Sequence, residues 1–163
     1  MVVIGCDPGT TQSAIASFDG TSILGYAIHP NETLIRILDD WTDTERHVLV
    51  LEQVESFGMA VGKETFETVF YTGRFAQAWC PWSWDRLPRR IIKQHLCHTA
   101  RATDANIRQA LIDRFGAIGS KKAPGALYGI KSHGWAALAV AVTWYDLNHD
   151  KPEEIRPGVV PDF

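Results

Sequence analysis

Two carboxylates close apolar runs in this chain, and their placement suits metal-dependent hydrolysis. Asp7 ends "VVIGCD" and Glu52 ends "HVLVLE". Ligand sites in α/β sheets gather at the carboxyl ends of strands. Hydrolysis of a phosphodiester by two metals needs carboxylates around ions roughly 4 Å apart. Asp7 also opens "DPGTT", whose Gly and Thr residues could cradle a nucleotide phosphate with backbone N–H groups. Asp before Pro-Gly is ordinary turn chemistry as well. Taken alone, Asp7 supports a site and a turn equally, whereas the pair within one order of elements favours metal ligation. The "HLCH" group at 95–98 has no second ligand pair and reads as packing rather than a zinc site. Cys6, Cys80 and Cys97 form an odd set without paired spacing, which fits reduced thiols.

Charge points to a polyanion. The net charge is −3, yet residues 86–131 hold ten of the sixteen Lys and Arg residues and only two acids, Asp104 and Asp113. A solvated helix and loop surface would account for such a run. A polyanion partner is the sharper reading, because local potential steers association even when the net charge is negative.

The elements that must position these groups follow from periodicity. Residues 2–7 form an apolar strand, 13–18 alternate, and "DGTS" turns the chain into 23–29, which makes an antiparallel meander. Asn31 is expected to cap a short helix with Leu34, Ile37, Leu38 and Trp41 at helical spacing. "HVLVLEQV" reads as a central strand buried on both faces. A helix is expected over 64–79, broken by "WCPWSW", and a fifth strand over 89–97. Thr103 or Asp104 caps a helix ending at Gly116, and Ser132 is expected to cap the apolar helix 133–148, which must be buried. Residues 1–149 read as one domain and 150–163 as a Pro-rich tail. With 45% hydrophobic and 21% charged residues, no secretory pattern and no apolar run of membrane-spanning length, the expected location is the cytoplasm.

Strand–strand–strand–helix–strand–helix–strand–helix–helix is the order of a ribonuclease H-like fold. That fold is an α/β architecture with a five-stranded mixed sheet, a three-strand antiparallel meander plus parallel strands, flanked by helices. "GCDPGTTQSA", "LVLEQV", "IIKQHLCHTARATDANIRQAL" and "HGWAALAVAVTW" resemble, in order, the signature blocks of RuvC-type Holliday junction resolvases, especially the phage-encoded branch. The first strand and its Asp-Gly-Thr-Thr-like turn are also similar to the first phosphate loop of actin-like ATPases and sugar kinases. Those need two such domains, and this chain has the length of one.

The resemblance implies a homodimeric, Mg²⁺- or Mn²⁺-dependent endonuclease, with two ions per active site, that nicks opposed strands of a four-way DNA junction. Other branched DNA is a second class of substrate to test. If the gene is a phage's, the cytoplasm is that of a host cell. The resemblance makes Asp7, Glu52 and His133 metal ligands and puts Lys93 beside the scissile phosphate. At Ala136 the chain departs from the pattern, which has its last catalytic aspartate there, one helical turn from His133 on the same face. Activity is therefore expected to be impaired unless His133 or Glu55 compensates, and a branched-DNA-binding protein without catalysis is the alternative. Phe57 and Lys63 fall in the segment placed at the junction crossover, where an aromatic can stack on a base. Arg89, Arg90, Lys93, Arg101, Lys121, Lys122 and Lys131 are the candidate phosphate contacts. Phe66, Phe70, Gly73 and the cluster Trp79, Trp82 and Trp84 are candidates for a dimer face, though a monomer core would use the same residue types.

Overall fold

The computed structural model describes residues 1–42, 46–55, 58 and 60–149. The first three strands, β1 (Val2–Asp7), β2 (Gln12–Phe18) and β3 (Ile23–Pro30), form the expected antiparallel meander. Its β2–β3 turn is closed by Asp19 Oδ1, which accepts from the Thr21 and Ser22 amides at 2.8 and 2.6 Å. β4 (His47–Gln53) adds parallel to β1, and β5 (Trp84–Pro88) adds parallel to β4, so the sheet order is β3-β2-β1-β4-β5. β1 and β4 are therefore central and covered on both faces, which is why they read as unbroken apolar runs.

Side-chain alternation along these strands divides the core. Ile4, Cys6, Leu49 and Leu51 pack against Leu34 and Leu38 of α1 (Asn31–Asp39) and Phe75 and Trp79 of α2 (Lys63–Trp79). Val3, Val48 and Val50 face the other way, with Ile92 of α3 (Arg89–Cys97), Leu111 of α4 (Asp104–Phe115) and the buried length of α5 (Gly134–Asn148). A two-residue pair, β6 (Gly119–Ser120) and β7 (Ala123–Pro124), precedes α5. No helix among the described residues is long and apolar enough to cross a membrane.

Several expectations are corrected. Residues 89–97 are a helix, and the fifth strand is the five residues before them. Pro88 ends the strand and is the extended N-cap residue of the helix, in which Ile91, Ile92 and Leu96 face the core. Asn31 is the first residue of α1 rather than its cap. Its buried side chain instead accepts from Ser13 Oγ at 2.7 Å and donates to the Gly9 carbonyl at 2.9 Å. Ser132 does not cap α5: its φ is +43°, and His133 is the N-cap residue with no side-chain capping bond. Thr103 does cap α4, in a reciprocal box with Asn106. Trp79 is completely buried in the monomer core against Trp41, which removes it from any dimer face. Phe57 and the tail 150–163 lie outside the described residues.

Candidate active-site cleft

The period of two that packs Val3 and Gly5 toward α5 carries Asp7 to the same face, and Val48 and Val50 do the same for Glu52. Parallel register pairs Cys6 with Leu51, so the two carboxylates come next on neighbouring strands. α5 reaches them because Gly5 has no side chain. A Cβ there would lie 2.2 Å from the Ala137 carbonyl oxygen and 2.6 Å from the Ala141 amide nitrogen. This close approach sets the start of α5 over the carboxyl end of β1, and His133 Nδ1 lies 2.8 Å from Asp7 Oδ2. The turn after Asp7 is braced by a small ring: the Gly9 amide donates to Ser13 Oγ at 3.0 Å, Ser13 donates to Asn31, and Asn31 returns to the Gly9 carbonyl.

The result is an open cleft of about 490 Å³ walled by Asp7, Glu52, Arg89, Asp104, His133 and Ala136, with Ile107 and Trp135 as its apolar side. Arg108 stacks over the Trp135 ring at 4.9 Å. One nitrogen of Arg89, Nη1, donates to both Glu52 oxygens at 2.7 and 2.8 Å, and Nη2 pairs with Asp104. Burial raises Asp7 above the ordinary carboxylate range against the pull of His133. Burial likewise pushes Glu52 up to about 7 even though Arg89 favours its charged form. Both carboxylates are short of solvation, which is the condition a cation in the cleft would relieve.

That shift has a consequence for stability. Glu52 binds its proton more tightly folded than unfolded, so its contribution is greatest below about pH 4.5, declines as pH rises to about 7, and is flat beyond. The loss is of order 3 kcal/mol, and Asp7 acts with the same sign. Urea melts at pH 5 and pH 8 in EDTA are expected to show a smaller pH difference in Glu52→Gln than in the parent chain. Equal differences in the two proteins would mean that Glu52 ionises normally.

The structure brings Asp7, Glu52, His133 and Ala136 together and leaves other candidates apart. Lys93 lies on α3 with Cys97 one turn on and does not line the cleft; among the described residues the Lys or Arg lining it is Arg89. Arg90 pairs with Glu55 at 3.2 Å, outside the cleft. Lys63 is the exposed first residue of α2, beside a second groove of about 420 Å³ lined by Gly9, Thr10, Thr11, Thr68 and His133. Arg101, Lys121, Lys122 and Lys131 are exposed, the middle two at the tip between β6 and β7. Asp104 and the Asn31–Ser13 brace escaped the reading of the sequence. Asp104 had a signal, being one of two acids in an otherwise basic stretch; the brace had none.

Mixed five-stranded sheet, helices on both faces and carboxylates at the ends of the two central strands together define a ribonuclease H-like fold. Among solved structures, RuvC of Thermus thermophilus matches with a TM-score of 0.60 and 18% identity over 90% of this chain and 96% of that one. T. thermophilus RuvC in complex with a Holliday junction substrate matches with a TM-score of 0.60 and 19% identity, over 88% and 92%. The fold is thus RuvC-like. No protein-family model and no curated protein sequence matches the chain.

The donors test what such a fold implies about metal. Mg²⁺ keeps several waters and is commonly held by one or two carboxylates, so Asp7 and Glu52, with His133 beside them, fit one hard divalent ion in kind. They fall short of two. Ala136 offers no ligand, and no group of three or more His, Cys, Asp or Glu is arranged to hold an ion among the described residues.

Proposed function

We propose that this chain is a structure-specific endonuclease of the RuvC type. It binds four-way DNA junctions as a homodimer and resolves them by divalent-cation-dependent phosphodiester hydrolysis, with hydrolysis impaired at Ala136. Other branched DNA falls within its range, and its place is the cytoplasm, of a host cell if the gene is a phage's. One observation carries the reading: Asp7, Glu52, His133 and Ala136, from two strands and a helix far apart in sequence, wall a single cleft. A bound divalent cation would activate water and stabilise the leaving oxygen. Asp7 and Glu52 would hold it, His133 would orient the Asp7 carboxylate through their hydrogen bond, and Arg89 offers the N–H groups of Nη1 to a phosphate. Lys121, Lys122 and Lys131 supply contacts that position DNA without reading its sequence.

The dimer is supported by an uncovered apolar stripe on α2. Phe66, Val69 and Phe70 are 65%, 52% and 57% exposed, more than isolated surface residues require. Gly73 continues that stripe with open space above it.

A non-catalytic branched-DNA-binding protein is the second reading, favoured by the alanine at 136 and by the engagement of both Glu52 oxygens with Arg89. Gel-shift titrations of a four-way junction and a linear duplex of the same length, followed by single-turnover cleavage in Mg²⁺, separate the readings. Preferential junction binding is expected, weakening with salt and weakening evenly across sequences in Lys121→Glu/Lys122→Glu. Slow, metal-dependent nicking supports the nuclease, and junction binding with none supports the second reading. Equal affinity for duplex and junction would end both.

A further inference from the structure

Resting on the nuclease reading, we propose that Arg89 is an internal counter-ion that closes Glu52 to a divalent cation until a DNA phosphate takes the guanidinium. Arg89 stands in an unfavourable place. α3 opens with Arg89 and Arg90 and has no acid in its first turn, whereas the partial positive charge of a helix N-terminus favours anions there. The placement is accounted for across the cleft. Nη1 spans both oxygens of Glu52, at 2.7 and 2.8 Å, and Nη2 holds Asp104 at the start of α4. Glu52 is only 13% exposed, and the guanidinium occupies the position from which both oxygens of that carboxylate would hold an ion. Arg90 shows the contrast, since its partner Glu55 does not line the cleft.

The exchange is chemically natural. Guanidinium groups bind phosphate through paired N–H donors about as well as they bind carboxylate. A phosphodiester entering the cleft therefore offers Arg89 a second partner while Asp104 keeps its other nitrogen in place. Glu52 is then freed at the moment when the substrate's own oxygens are at hand to complete a cation's shell. DNA and divalent cation would load cooperatively, and the coupling must be reciprocal. In the DNA-free protein, the cation should bind weakly.

The test reads metal binding rather than cleavage. Mn²⁺ affinity is measured by calorimetry on the DNA-free parent chain, Arg89→Gln, Arg89→Lys and Arg90→Gln, with Glu52→Gln as the blank and circular dichroism confirming the fold of each. Arg89→Gln is expected to bind Mn²⁺ at least about tenfold more tightly than the parent. Arg90→Gln, which removes an equal charge beside it, is expected to change affinity little. Arg89→Lys keeps the charge without the fork and should lie between, which keeps the test open if the glutamine variant folds poorly. Anisotropy of a labelled four-way junction then compares affinity in EDTA and in Ca²⁺. The parent should bind more tightly with the cation, and that gain should shrink in Arg89→Gln. A parent chain that binds Mn²⁺ as tightly as Arg89→Gln, with loss in Glu52→Gln, would overturn the lock and leave the nuclease reading standing. No Mn²⁺ binding in any variant would overturn both the lock and the metal site, while junction affinity reports DNA binding independently.

Discussion

Ala136→Asp is expected to raise the single-turnover rate of junction cleavage in Mg²⁺ by about 10²–10³-fold, from the several kcal/mol a catalytic metal ion contributes at 1.36 kcal/mol per decade. Ala136 lines the same cleft as Asp7, Glu52 and His133, and a longer side chain there, one turn after His133 in the first turn of α5, would reach into it. With a methyl group there, the donor set suffices for one hydrated ion and not for a pair. A carboxylate at 136 supplies the missing ligand. It also adds a fourth carboxylate to a cleft in which burial already disfavours the charge on Asp7 and Glu52. The variant should therefore be less stable than its parent in EDTA, by about 1–2 kcal/mol, and recover in Mg²⁺. Junction affinity in EDTA should change little or fall, because another carboxylate repels phosphate. Fast cutting by the parent chain with no gain from the aspartate would mean that another residue completes the site and that α5 carries its chemistry elsewhere.

Gly5→Ala is expected to cost more than about 3 kcal/mol of folding stability, a large share of the 5–15 kcal/mol typical of a domain. The added methyl would meet backbone atoms, the Ala137 carbonyl at 2.2 Å and the Ala141 amide at 2.6 Å, and backbone cannot rotate away as a side-chain tip can. Either β1 or α5 must move. The interior on that face, from Val3 through Leu138 to Val142, is buried, and close-packed interiors transmit such a shift. His133 and Ala136 ride on the same helix, so the variant should also lose metal affinity. Urea unfolding measures the first effect, and Mn²⁺ calorimetry on the folded fraction the second. A cost below about 1 kcal/mol would show that strand and helix are not held as close as described.

The part of the molecule governed by local pattern could be read from the residues alone. The apolar strand 2–7, the alternation along 13–18, the unbroken apolar run 47–53 and a helix capped at Thr103 or Asp104 were legible because each rests on neighbours in the chain. The candidate ligands Asp7 and Glu52 were legible for the same reason, as charges where apolar strands stop. The region 84–97 was less legible because its short strand hides inside an aromatic turn. "RRIIKQHLC" has adjacent isoleucines that suit a strand as well as a helix face, and only packing against α4 and α5 decided between them. Tertiary structure alone made Asn31 a brace instead of a cap, and buried Trp79 within the monomer. It also placed Arg89 rather than Lys93 in the cleft. That last choice depends on where a helix begins relative to a neighbouring strand end, and a shift of one turn brings a different side chain to the same place on that face while leaving the periodicity unchanged. The chemistry of the carboxylates was written locally; what neutralises them is set by contacts across 37 and 126 residues of chain, which no local pattern encodes.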